Sequence, residues 1–105
     1  VRRRRANYNE EEVRALIEHY EVLREKSDVT PRGLKWLTLR TDLDAVLAQI
    51  PEEYWGVVLL HGLIGFTQTE TAQLLQTSQR TVSRHYQWGI EETVYLLNHG
   101  PYGGA

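Results

Sequence analysis

Apolar residues recurring every three or four positions dominate this chain, and that spacing restricts it to packed helices. Val13, Leu16, Ile17, Tyr20 and Leu23 form one such series, and Trp36, Leu39, Leu43, Val46, Leu47 and Ile50 form a second. A helix turns about 100° per residue, so each series lines one face. No stretch alternates Val, Ile or Thr with polar residues, so no strand reading competes. The polar punctuation agrees. Asn9 followed by Glu12 reads as a capping box, Tyr8 is placed to staple onto Val13, and Glu10 and Glu11 suit the positive helix end.

Ser27 to Gly33 reads as a loop or break. Thr30 and Pro31 fit the cap and first residue of a second helix, while Gly33 leaves a start near Leu34 equally open. Pro51 ends that helix and opens a third, which carries Tyr54, Val57, Val58 and Leu60 up to Gly62. Thr67 with Glu70 makes a second capping box, for a fourth helix reaching about Leu75. After Gln76-Thr77-Ser78, Ser78 caps a last helix running from Gln79 to about Leu97, and Asn98-His99-Gly100-Pro101 stops it. With 105 residues, the expectation is a small all-α bundle of about five helices with a C-terminal helix-turn-helix. Its segments are a basic arm over 1–8, a helical segment over 9–40, the helix-turn-helix domain over 41–98 and a flexible tail over 99–105.

The last helix has two unlike faces. Val82, Tyr86, Gly89, Ile90, Thr93, Leu96 and Leu97 share one side, while Arg80, Ser83, Arg84 and Gln87 gather opposite. The second set can donate to phosphates and base edges, and Arg matches guanine bidentately. Glu91 lies on that face one turn later and should limit the contact with DNA. Leu74, Val82 and Tyr86 are expected to be buried where the last two helices cross. Arg2, Arg3, Arg4 and Arg5 read either as an arm on phosphates or a groove, or as a solvated tail.

Leu47-Ala48-Gln49-Ile50-Pro51-Glu52-Glu53-Tyr54 and Val57-Val58-Leu59-Leu60 are followed by Gly65-Phe66-Thr67-Gln68-Thr69-Glu70-Thr71-Ala72, Leu74-Leu75 and Ser78-Gln79-Arg80-Thr81-Val82-Ser83-Arg84. This series resembles region four, the C-terminal promoter-binding region of bacterial sigma factors. The resemblance covers about half the chain, Leu43 to Leu97, and its last block is the specific part. It implies that the second motif helix enters the major groove of the −35 promoter element. By position the implied DNA contacts are Gln79, Arg80, Thr81, Ser83, Arg84 and Gln87, with Thr67 and Gln68 at the start of the preceding helix. Three departures stand out. Thr71 replaces a bulky aliphatic residue, and Trp55-Gly56 stand where members often carry Arg-Glu on a surface that can face RNA polymerase. No segment resembles the region that binds the −10 element. The resemblance therefore implies a small sigma-like transcription regulator, phage or mobile-element encoded, rather than a complete sigma factor.

The net charge of −2 is low for a DNA binder, and no Lys or Arg lies between Arg40 and Arg80, where Asp42, Asp44, Glu52, Glu53 and Glu70 do. Affinity for phosphate should be modest and local, which points to a homo-oligomer or to help from RNA polymerase. Trp88, Tyr95 and His99 share a stripe beside the DNA face; it reads either as a partner surface or as packing against the first two helices, and Trp55 is a further partner candidate. Packaging of DNA, as by a phage terminase small subunit, and a polymerase-binding decoy are the alternative functions. The histidines at 19, 61, 85 and 99 lack ligand spacing, no nucleophile or carboxylate pair can be argued, and no glycine-rich phosphate loop occurs, so neither enzyme nor cofactor is expected. No long apolar run spans a membrane, no apolar stretch follows the arginines as in a secretory signal, and the absence of cysteine fits a cytoplasmic protein.

Overall fold

In a computed structural model, residues 8–27 and 30–99 are described, and they contain helices and no strand. In chain order the helices are α1 (Glu10–Glu18), α2 (Tyr20–Lys26), α3 (Pro31–Leu47), α4 (Glu52–Val57), a π-helical stretch Val58–Ile64 continuous with α4, α5 (Gln68–Leu75) and α6 (Gln79–His99). None of them is long and apolar enough to cross a membrane. The expected arm Arg2–Arg5 and the tail beyond His99 lie outside the described residues.

Local chemistry sets most boundaries. The Asn9 side chain accepts from the Glu12 N–H at 2.8 Å, and the Glu12 carboxylate accepts from the Asn9 N–H at 3.0 Å. Two N–H groups of the helix start are thereby satisfied. Thr30 caps α3 by accepting from Gly33 N–H, so this helix starts at Pro31 and not near Leu34. The loop before it is correspondingly shorter than the 27–33 expected.

Two expected helices differ from their reading. The apolar series from Val13 to Leu23 is interrupted at His19, whose φ of −113° and ψ of 28° leave the helical range. The reason lies in packing: α1 rests on α6 and the π-helical stretch, whereas α2 rests on α3, where the Tyr20 hydroxyl donates to Asp44 at 2.6 Å. The third helix continues past Gly62 to Ile64 by widening, and Gly65 and Phe66 N–H both donate to the Leu60 carbonyl, at 3.1 and 2.9 Å. Gly65 closes the stretch at a φ of 100°, a conformation glycine adopts at little cost.

One core joins all of this. Val13 and Ile17 of α1 share a buried cluster with Leu43, Val46 and Leu47 of α3, Val57 and Val58, and Val82, Tyr86, Ile90 and Leu97 of α6. Helix α3 runs straight through residue 40, so the expected division there has no counterpart in the core. Two glycines permit the close contacts. A Cβ on Gly62 would stand 2.6 Å from the Ile17 side chain, and one on Gly89 would stand 2.5 Å from Val58. Only hydrogen fits at either place.

Thr71 of α5 is fully buried and its hydroxyl has no hydrogen-bond partner among the described residues. A buried hydroxyl without a partner costs about 1–3 kcal/mol. Thr71→Val keeps the shape and removes the hydroxyl. Denaturant titration is expected to show a stabilisation of about 1 kcal/mol; a loss of stability would mean that the hydroxyl is satisfied.

Candidate nucleic-acid interface

Helices α5 and α6 are joined by Gln76, Thr77 and Ser78. Gln76 takes left-handed angles, φ 56° and ψ 49°, and Thr77 N–H returns to the Ala72 carbonyl at 2.9 Å. That arrangement, with Gln76 N–H donating to the Gln73 carbonyl, satisfies two of the last carbonyls of α5 and ends the helix. At the front of α5 the Thr67 hydroxyl accepts from Glu70 N–H at 3.0 Å, and Glu70 accepts from Thr67 N–H at 2.9 Å. At the front of α6 the Ser78 hydroxyl accepts from Thr81 N–H at 3.0 Å and donates to the Thr81 hydroxyl at 2.9 Å. Thr67 and Thr81 therefore both serve helix starts.

The inner face of α6 is buried as expected at Val82, Tyr86, Gly89, Ile90, Thr93 and Leu97, while Leu96 is half-buried. Leu74 departs from expectation: it is 57% exposed. Thr71 and Ala72 face inward on α5, and at about 100° per residue Leu74 points well away from their midpoint. Leu75, not Leu74, turns back toward the bundle, with its methyls 3.4 and 3.6 Å from where a Gly56 Cβ would stand.

Gln79, Arg80, Ser83 and Arg84 are exposed on the first two turns of α6. Ser83, Arg84, Gln87 and Gln68 line one concavity of about 590 Å³, together with Arg14 of α1 and His61 of the π-helical stretch. Gln87 is not open to a ligand in the way Arg80 is. Its amide oxygen accepts from Arg14 at 2.8 Å, and its amide nitrogen donates to Glu10 at 2.9 Å and Glu91 at 3.0 Å. The DNA contact read at Gln87 thus falls on a residue already engaged by α1, which borders the far edge of the concavity with carboxylates.

Arg14 and His61 were not singled out from the sequence. The Arg14 guanidinium sits 5.8 Å from the centre of the Tyr86 ring, and His61 meets the same ring edge-on at 4.7 Å. The Tyr86 hydroxyl donates to Glu18 at 3.0 Å. Burial first, and then the Glu18 carboxylate, push the Tyr86 phenol well above its ordinary range. Tyr86 therefore stays a neutral donor that anchors Glu18. Arg14 has one readable trace: it falls midway between Glu10 and Glu18 at four-residue spacing, the lone cation on that stripe.

Trp88 and Tyr95 are 41% and 58% exposed, which corrects the reading that packs them against the first two helices. Trp88 meets Tyr54 of α4 edge-on at 5.7 Å and stacks on His85 at 5.6 Å, and the Arg84 guanidinium lies 5.5 Å from the Trp88 ring centre. Trp55 is half-buried against the core. No protein family, curated protein or solved structure matches the chain.

Proposed function

We propose that this protein binds double-stranded DNA by placing the first half of α6 in the major groove, as a sigma-like transcription regulator. One observation supports this above the others: Gln79, Arg80, Ser83 and Arg84 are exposed together at the start of a 21-residue helix, and no acidic side chain occurs on that helix before Glu91. An exposed helix start with two guanidiniums suits base edges and phosphates alike. On this reading Thr67 and Gln68, at the start of α5, would lie beside a phosphate, with the Thr67 N–H held back by Glu70. Arg14 adds a cation from α1.

The supply of positive charge is small, Glu18 lines the concavity, and Glu10 and Glu91 both accept from Gln87 at its wall. Such an interface binds weakly alone and gains from tethering to a second copy or to RNA polymerase. Selection from a pool of random duplexes tests the reading. The expected outcome is a recurring short motif, with major-groove protection over about one half-turn of DNA. Recovery of unrelated duplexes with no protected bases would overturn it.

A further inference from the structure

The outer face of α6 changes character halfway along. Arg80 and Arg84 occupy its first half; Trp88, Glu91, Glu92 and Tyr95 follow in the second. These four residues and Tyr54 of α4 line an open concavity of about 350 Å³. Trp88, Glu91, Glu92 and Tyr95 stand at spacings of three, four and seven residues and so share one helix surface. Aromatic faces beside carboxylates recognise a cation, and a planar guanidinium most of all. A contact of this kind is present locally: the Arg84 guanidinium lies 5.5 Å from the Trp88 ring centre.

Tyr8 ties the start of the described residues to this end of α6. Tyr8 N–H donates to the Asn98 side-chain oxygen at 2.7 Å, and the Asn98 amide donates to the Tyr8 carbonyl at 3.0 Å. Asn98 follows Tyr95 by one turn. Arg2–Arg5 precede Tyr8 by three to six residues. At about 3.3–3.6 Å per extended residue, three to six residues span at most about 10–20 Å. Along α6, Glu91 and Trp88 lie about 10 and 15 Å before Asn98. Length and charge both match.

We infer that the stripe Trp88–Glu91–Glu92–Tyr95 is a guanidinium-binding surface, and that its occupant is the Arg2–Arg5 segment of the same chain. The inference does not rest on DNA binding. Tested without DNA, it stands or falls independently of that reading.

The indole N–H resonance of Trp88, identified with Trp88→Phe, reports on the stripe; Trp36 and Trp55 serve as internal controls. Replacing Arg2–Arg5 with glutamine in the full chain is expected to shift the Trp88 signal and leave the other two in place. A peptide of residues 1–7 added to that variant should return the signal toward its original position. Glu91→Gln with Glu92→Gln should move it likewise and make the arginine replacements silent. An unmoved Trp88 signal at low ionic strength on removing the four arginines would overturn the inference. A shift that depends on protein concentration would assign the arm to a second copy and overturn the same-chain occupancy.

Discussion

Arg80→Ala and Arg84→Ala are each expected to weaken DNA binding by about 1–3 kcal/mol, which is roughly 5- to 160-fold. Both side chains are exposed, so neither change disturbs the core and thermal melts should stay where they were. Titration of a selected duplex measures the loss directly. Lysine replacements separate two roles. Arg80→Lys keeps a charge for phosphate but loses the paired donors that match a guanine edge. Lysine should therefore recover most of the affinity for random duplexes and little of the preference for the selected one. Unchanged binding in both alanine variants would remove α6 from the groove. The Arg84 effect should be the smaller of the two, because part of its guanidinium already rests against Trp88.

Ile17→Ala is expected to cost about 2–5 kcal/mol of stability, from lost apolar transfer and the cavity left behind. Ile17 is fully buried, and its side chain fills the space beside Gly62 so closely that a single methyl there would collide. Because one core joins α1 to α3 and α6, the loss should appear in the single unfolding transition of the whole protein. A separate early melt of α1, or a loss below about 1 kcal/mol, would mean that α1 is an appendage.

Features fixed by a few neighbouring residues were legible in the sequence. Asn9 with Glu12, Thr67 with Glu70 and Ser78 before Thr81 are caps whose donors and acceptors lie three residues apart, and the buried face of α6 follows from helical period. Features decided by distant partners were not. Nothing near His19 marks a break; the break arises because Tyr20 is drawn to Asp44, 24 residues away. Gln87 has the chemistry of a base reader, but Arg14 and Glu10, more than 70 residues earlier in the chain, hold its amide. Leu74 was misplaced for a different reason: α5 is only eight residues long, so one turn presents very little inward surface, and Thr71 and Ala72 fill it. The candidate interface was half legible. Its α6 residues are contiguous, whereas Arg14 and His61 join it only through the packing of α1 and the π-helical stretch around Tyr86.

The Tyr8–Asn98 clasp joins residues 90 apart in sequence, and α1 finds its bed between α6 and the π-helical stretch. Synthesis proceeds from the other direction. Helix α1 is made well before the two elements that cover it, the π-helical stretch and then α6. Val13 and Ile17 are therefore covered in two stages, the second only when α6 has been made. A nascent chain that stops short of Asn98 has α1 without its clasp, so the order of synthesis leaves the oldest helix waiting for the youngest.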